Sequence, residues 1–494
     1  MKKSIQNKLF DFSIATLIVG MGGTGLSCAR YLKKRNCQFS IADSRQEPPC
    51  LESVKHEFNN NLIVTGDFNY ELFKQYKQII VSPGISIRSE LFTSLRTQGC
   101  LIIGDIELFT QVVEKPVIAI TGSNGKSTVT TLVEKIARDC GIKAIAGGNL
   151  GIPALDLLDS QSDLYILELS SFQLETTYSL KTISATVLNI SEDHMDRYTD
   201  LDDYRQIKES IYNNTDNAII NHHELITFAR VKQAIDAGEK QSSVVLFGED
   251  SLPGEASLPG EASKKSVNPK EAIHCEFELL DGEVLTQNKK AIMQAKDIKL
   301  KGKYNYLNVL AALALLKPLH LDLNRQIKSI KEYSGLPHRC EWVADVNGVD
   351  FYNDSKGTNT GATIAAIDGF EVNSSLEHDK KTLILIAGGV GKDADFKELG
   401  EVIEKKIKFT VLMGVDSGQI KSSALNAGAK NDDFYTVDSM QDAVLTANNL
   451  AGSGDVILFS PACASFDMYQ NYMKRGDDFK EKVLVLKDGL KNVS

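Results

Sequence analysis

The chain has 494 residues, which at about 150 per domain suggests roughly three domains. Hydrophobic residues at 42% and charged residues at 24% are ordinary globular values and exclude a disordered or fibrous chain. A formal net charge of −10 excludes the basic surface that sequence-independent nucleic-acid binding needs, while leaving room for local basic pockets. The 8 cysteines include no close CxxC pair, so free thiols are expected rather than disulfides or a thiolate zinc site. The apolar stretch Ile14–Val19 runs straight into glycines and reads as a first strand, not a signal peptide. No apolar run approaches the ~20 residues that span a bilayer, and a soluble cytoplasmic protein without membrane insertion is expected.

In chain order, short apolar runs alternate with helix-like stretches. The runs are Ala15–Val19, Gln78–Val81, Val117–Ile120, Tyr165–Leu167, Ala185–Ile190, Leu383–Ala387, Thr410–Met413 and Val456–Phe459. Such a pattern predicts parallel sheets covered on both faces, with ligands beyond the carboxyl ends of the strands. A first unit ends near Gly104, before a helical stretch Asp105–Val113, and Gly335 and Pro337 mark a second break. The predicted domains are 1–104, 105–335 and 336–494. Within the second, SLPGEA occurs twice in tandem over 251–262 and reads as a surface-loop insertion.

The first strand ends in GMGGTG, where Gly20, Gly22 and Gly25 fit GxGxxG, and Asp43 ends the next strand. Glycines there let a backbone approach a pyrophosphate at a helix N-terminus. An NAD site and a plain tight turn both remain open at this motif. The next loop is more specific. Thr121–Thr128, TGSNGKST, lies between a strand and a helix, although Ile120 stands where a phosphate loop usually has its leading glycine. Gly122, Asn124 and Gly125 supply backbone amides for phosphates, Lys126 reaches the outer ones, and the Ser127 hydroxyl suits Mg²⁺.

Glu168 follows an apolar run and offers a hard oxygen ligand, whereas His194 on its own reads as a hydrogen-bonding residue. Lys208 shares a helix with Ile207 and Ile211, so pattern alone predicts a lysine snorkelling to water. In the last unit three strand ends are polar: Asn353–Asn359, Gly388–Lys392 and Ser460–Ser465. Three such ends in one sheet predict a shared binding edge.

Taken together these residues resemble the Mur ligase family over nearly the whole chain. The motifs, in order, are GMGGTGLSC, SPGI at Ser82, GDIELF at Gly104, TGSNGKST, GGNLGIPAL at Gly147, ELSSFQLE at Glu168 and EDHMDRY at Glu192. YRQIK, GKYNYLN at Gly302, GLPHR at Gly335, NDSKGTN and SPACASFD follow. ELSSFQLE, DHMDRY and SPACAS point to the D-glutamate-adding member. The resemblance implies an α/β protein of three domains: a Rossmann-like N-terminal domain, a central P-loop ATPase-like domain with a mostly parallel sheet, and a Rossmann-like C-terminal domain. It implies a ligase of peptidoglycan synthesis acting through an acyl phosphate, with small-molecule substrates UDP-N-acetylmuramoyl-L-alanine and D-glutamate, ATP, two Mg²⁺ sites and a monomeric state.

Residue by residue, the resemblance assigns Gly23, Thr24, Asp43, Ser44, Arg45 and Gly84 to the UDP end of the substrate, with Asn149 and His194 also near it. Lys126, Ser127 and Thr128 match the ATP phosphate loop, and Asn305, Asn308, Arg339 and Asp354 match adenine, ribose or phosphate contacts. Ser127, Glu168, His194 and a carbamylated Lys208 match metal ligands, and Lys126, His194 and Lys208 the catalytic set. Lys356, Thr358, Lys392, Ser465 and Tyr472 match the D-glutamate pocket. Val390 stands where the family pattern has Asp, and Tyr472 where it has Phe. The alternatives are a ligase for another amino acid or folate, an NAD-dependent oxidoreductase built on GMGGTG, and a non-catalytic nucleotide sensor.

Overall fold

The computed structural model describes residues 9–191, 197–238, 242–249, 275–300, 302–370, 381–391 and 394–491. His194, Lys392 and the duplicated SLPGEA segment lie outside them. The 8 cysteines are all free thiols. Among the described residues no helix is long and apolar enough to cross a membrane.

Three sheets account for the strands. The first contains β1 (Thr16–Val19), β2 (Phe39–Asp43), β3 (Ile63–Thr65), β4 (Gln78–Val81) and β5 (Leu101–Ile103), in the order β3-β2-β1-β4-β5. All of its pairs are parallel. The strand order reverses between β1 and β4, so the loops leaving those two strands border the crevice where such sheets take ligands.

The second sheet is built on β6 (Val117–Thr121), β7 (Ala144–Gly148), β8 (Leu164–Glu168), β9 (Ser184–Val187), β10 (Asn217–Asn221) and β11 (Ser243–Glu249). It continues through β12 (Phe277–Leu280), β13 (Val284–Gln287) and β14 (Lys290–Gln294), in the order β14-β13-β12-β11-β10-β9-β6-β8-β7. β6 lies between β8 and β9 and is parallel to both, which brings the segments after these three strands together. The apolar run Ala185–Ile190 predicted a longer strand than β9. Residues 188–190 leave the ladder because they serve the loop after β6: Leu188 N donates to Thr121 O and Ser123 N to Asn189 O.

The third sheet contains β15 (Glu341–Val346), β16 (Val349–Asn353), β17 (Leu383–Ala387), β18 (Ile407–Leu412), β19 (Phe434–Thr436) and β20 (Val456–Phe459). Its order is β15-β16-β20-β17-β18-β19, with only the β15–β16 pair antiparallel. β18 begins earlier than the predicted Thr410, at Ile407.

The chain forms two compact units. One takes Met1–Leu279, Thr286–Ala291 and Asn308–Ser329, and contains the first sheet with β6–β11; the other takes Leu280–Leu285, Ile292–Leu307 and Ile330–Ser494, with the third sheet. In the first unit a single buried cluster spans both sheets, joining Ile18, Leu26 and Ile41 to Phe109, Ala119 and Leu167. Each fully buried side chain of this size contributes about 1.5–3 kcal/mol, which welds the two sheets together. The third sheet has its own apolar cluster on each face, one around Leu385 and Leu458, the other around Ile384, Ile386 and Ile457. Alternate residues of one strand therefore face opposite cores, as a doubly covered parallel sheet requires.

Candidate active site

The glycines after β1 open a cleft of about 420 Å³ bordered by Gly23, Thr24, Asp43, Ser44, Arg45 and Gly84. These are the six residues assigned to the UDP end from the sequence. The helix Gly23–Lys34 starts in this cleft with its first-turn amides and no acidic residue in that turn, a setting favourable to an anion. Gly25 is required by contact: a Cβ there would lie 1.8 Å from the carbonyl oxygen of Gly20.

Asp43 is fully engaged. Its Oδ2 accepts from Met21 N and Arg45 Nη2, each at 2.7 Å, and its Oδ1 from Arg45 N and Nε, each at 2.9 Å. Burial opposes ionisation, yet the bonds from Arg45 and from the Met21 and Arg45 amides prevail and hold the carboxyl at about 2. All its lone pairs are taken, so a ribose diol would have to displace Arg45. That weighs against the NAD reading, which needs a free acid at this position.

The phosphate loop leaves β6, whose residues are all buried, and enters the helix Lys126–Asp139 through Gly125 at φ 83°. That helix forms because Val129, Leu132, Val133 and Ile136 fall at helical spacing on its buried face. Asn124 N donates to Asn189 Oδ1 at 2.8 Å, and Asn189 Nδ2 returns a bond to Asn124 O at 3.1 Å. Lys126 Nζ donates to Gly122 O at 2.8 Å and Ser123 O at 2.9 Å, curled over its own loop. Ser127 is buried in the first helical turn, and Thr128 follows it. Asn308 borders the loop, since a Cβ on Gly125 would meet its Oδ1 at 2.7 Å.

Glu168 ends β8 in register with Ile120 of β6, beside the loop. Its Oε1 accepts from Asn149 Nδ2 at 2.6 Å, while its buried Oε2 has no hydrogen-bond partner among the described residues. A buried carboxylate oxygen left without a donor next to a phosphate loop fits a hard cation such as Mg²⁺. No group of three His, Cys, Asp or Glu side chains that could hold a metal occurs among the described residues. Mg²⁺ commonly completes its shell with substrate phosphates and water, so one protein carboxylate and a hydroxyl suffice.

Lys208 corrects the snorkelling expectation. It is only 1% exposed. Its Nζ donates to Gly122 O at 2.9 Å and Thr121 Oγ1 at 3.3 Å, and lies 4.6 Å from the centre of the Tyr204 ring. The helix Leu201–Glu209, capped by the Asp200 side chain on Asp203 N, turns Tyr204 and Lys208 inward together because they are four residues apart.

In the second unit, the segments after β16, β17 and β20 meet, as three polar strand ends predicted. Asp354 N donates to Phe459 O at 2.7 Å, Gly388 N to Pro461 O at 2.8 Å, and Val390 and Ala464 exchange both backbone bonds at 2.9 Å. Val390 acts here through its backbone, so the side chain that departs from the family pattern leaves this tie intact. Asp354 is buried and accepts from Ser460 Oγ at 2.7 Å and Cys340 N at 3.2 Å; burial nevertheless raises its carboxyl to about 7.

Lys356 Nζ sits 4.4 Å from the centre of the Tyr472 ring, and burial, then Arg339, push its ammonium down. Ser465 is buried, and Ser355 Oγ donates to Tyr472 O at 2.8 Å. Thr358 follows two residues after Lys356, its N–H bonded to Lys356 O at 2.8 Å. Asn305 is buried on the helix Lys303–Leu316, three residues before Asn308 and on the same face. Arg475 escaped the sequence reading. It is 2% exposed and ties Ser355 to Cys463 through Nε and Nη2, but no pattern in its exposed-looking helix start announced it.

Comparison with known proteins finds three family models in order along most of the chain. Residues 15–104 match the Mur ligase MurD-like N-terminal domain, 120–316 the Mur ligase middle domain, and 338–463 the Mur ligase glutamate ligase domain. The UDP-N-acetylmuramoylalanine–D-glutamate ligase of Nitrosococcus oceani is 43% identical over 472 residues, covering 95% of this chain and 96% of its own. The ligase of the same name from Marinobacter nauticus is 42% identical over 95% of this chain and 97% of its own.

Among solved structures, a pseudomurein peptide ligase type C from Methanothermus fervidus matches with a TM-score of 0.56 at 17% identity, covering 95% of this chain and 99% of that one. The UDP-N-acetylmuramate–alanine ligase of Thermotoga maritima matches with a TM-score of 0.53 at 17% identity and the same coverage. At that identity the structural likeness speaks for the fold. With three domain matches in order and relatives above 40% identity over nearly full length, this chain belongs to the Mur ligase family.

Proposed function

We propose that this chain joins D-glutamate to UDP-N-acetylmuramoyl-L-alanine in peptidoglycan synthesis, coupled to conversion of ATP to ADP and phosphate. The observation that supports the proposal is that Lys126 and Lys208 both donate to Gly122 O while Glu168 pairs in register with Ile120, two positions before that glycine, in the same unit as the glycine cleft. The substrate carboxylate attacks the γ-phosphorus, forming an acyl phosphate and releasing ADP. The amine of D-glutamate, having lost a proton, adds to the acyl carbon, and the tetrahedral intermediate expels phosphate to leave the amide.

Two anions have to approach in the first step, so alignment and neutralisation carry most of the catalysis. Lys126 exchanges its two loop carbonyls for phosphate oxygens, while the amides of Gly122, Gly125 and Thr128 face them; the Asn124 amide is held by Asn189 Oδ1. Ser127, Glu168, His194 and Lys208 as a carbamate would hold Mg²⁺, which supplies positive charge at the transferring phosphoryl group. The cleft around Gly23, Thr24, Asp43, Ser44, Arg45 and Gly84 would take the UDP end, and Asn149 and His194 would lie near the muramoyl end.

In the second unit, Lys356, Thr358, Lys392, Ser465 and Tyr472 would receive D-glutamate, with Asn305, Arg339 and Asp354 available to nucleotide. The domain division 1–104, 105–335 and 336–494, a monomeric state and a cytoplasmic location complete the reading. The experiment is phosphate release from ATP with UDP-N-acetylmuramoyl-L-alanine, with and without D-glutamate, and with L-alanine, L-glutamate and a diamino acid in competition. Release indifferent to D-glutamate from folded protein, or preference for another amino acid, overturns it.

A further inference from the structure

Four charged side chains that the reaction itself does not use join the UDP cleft to the segments around the phosphate loop. Glu175 is the hub, with its side chain 3% exposed. Its Oε1 accepts from Arg88 Nε at 2.7 Å, and its Oε2 from Arg197 Nη2 at 2.5 Å and Nε at 3.0 Å. Arg88 turns its other edge to Asp203, with Nη1 on Oδ2 at 2.5 Å and Nη2 on Oδ1 at 3.0 Å. Arg197 turns its other edge to backbone, donating from Nη1 to Pro83 O at 3.1 Å and from Nη2 to Ile85 O at 3.4 Å. The guanidinium groups also lie on rings, Arg88 4.9 Å from the centre of Tyr198 and Arg197 4.1 Å from that of Phe172.

The placement of these residues gives the network its meaning. Pro83 and Ile85 flank Gly84 on the border of the UDP cleft. Glu175 lies seven positions beyond Glu168, past the capped turn that begins at Ser170. Asp203 is in the first turn of the helix that delivers Lys208 to Gly122. Two arginines and two acids balance in charge, and each fork is bidentate or shared between partners. That geometry is what a partly buried ion network needs to offset its desolvation.

We infer that this network fixes the separation between the UDP cleft and the phosphate loop, with Glu175 as its central positioning residue. The inference rests on the reading given under Proposed function. A substrate with UDP at one end and the reacting carboxylate at the other must satisfy both places at once, whereas ATP and free UDP each use only one. Loosening the network therefore penalises the two-ended substrate selectively, and a misplacement near 1 Å is enough to cost a large factor in rate.

The test is Glu175→Gln, which keeps the shape but leaves two guanidinium groups without their carboxylate. The expected result is a KM for UDP-N-acetylmuramoyl-L-alanine raised by about tenfold with a lowered kcat, while KM for ATP and the affinity for UDP alone stay within about twofold. Equal shifts for all three ligands, or no shift, overturn the inference. Wild-type protein run in parallel separates the two claims, because loss of D-glutamate-dependent phosphate release there sinks the functional reading instead. If Glu175→Gln fails to fold by circular dichroism, Arg88→Lys replaces it. That change retains the charge but cannot fork onto Asp203, and it must show the same selective KM increase for the inference to stand.

Discussion

Lys208 Nζ donates a 2.9 Å hydrogen bond to the carbonyl oxygen of Gly122, across 86 positions of sequence. A buried lysine thereby contacts the first glycine of the phosphate loop, where a carbamate oxygen would have access to a cation held by Glu168. Lys208→Met keeps the volume and the apolar stem without the nitrogen. Turnover is expected to fall by about a hundredfold or more, with the far-UV circular dichroism spectrum unchanged. Phosphate-release kinetics measure the first and a spectrum the second; full activity refutes the assignment of Lys208 to the site.

Glu168 Oε2 is buried without a hydrogen-bond partner among the described residues. Its replacement in Glu168→Gln removes the negative charge while retaining an acceptor for Asn149. The Mg²⁺ concentration giving half-maximal activity should rise by about 10–100-fold, read from a magnesium titration at saturating ATP. An unchanged titration curve shows that the cation does not use this oxygen.

Two glycines of the first loop are needed for different reasons. A Cβ at Gly25 would meet Gly20 O at 1.8 Å, whereas one at Gly23 would meet nothing within 4 Å. Gly25→Ala should therefore cost about 2–3 kcal/mol in urea unfolding, because the helix must move off the strand end. Gly23→Ala should stay within about 0.5 kcal/mol of wild type. It should still weaken binding of UDP in calorimetry, since its methyl occupies space open to the ligand.

The raised carboxyl of Asp354 has a consequence for stability against pH. Burial moves it from 3.8 to about 7, so between those values the folded chain retains a proton that the unfolded chain has released. Its contribution to stability is complete below the unfolded value and is lost as pH rises through about 7. Asp105, raised by burial to about 6, acts in the same direction. In Asp354→Asn the decline in Tm from pH 4 to pH 7.5 should become shallower than in wild type, measured by differential scanning calorimetry. An identical decline removes Asp354 as a source.

The strand–loop–helix geometry around Lys126 was legible in the sequence because it is local. Strand, glycines, Lys126, Ser127 and helix are contiguous, and backbone amides need no distant partner to cradle phosphate. The cleft of the first sheet was legible for a related reason, since parallel strands deliver their following loops to one edge. The three polar strand ends of the third sheet likewise meet because β20 lies between β16 and β17.

Lys208, Asp43 and Glu175 were different. Helical periodicity marks which residues share a face, and it placed Lys208 beside apolar neighbours without saying what that face would meet. Asp43 has the spacing of a ribose-binding acid, and only the folded loop shows all its lone pairs taken by Met21 and Arg45. Arg88 reaches Asp203 across 115 positions. Ion pairs are chosen by distance in space, and side chains so far apart in sequence carry no pattern that announces the pairing.

Length and motif order by themselves determined an α/β chain with a glycine-bearing strand–loop–helix at Lys126 and polar strand ends. A sequence that repeats apolar strands and amphipathic helices has few ways to bury both. Tertiary structure alone decided which charges were buried and with whom, because the energy of a buried charge depends on the partner within a few ångströms. That is why a net charge of −10 is silent about Lys208, Glu175 and Asp43.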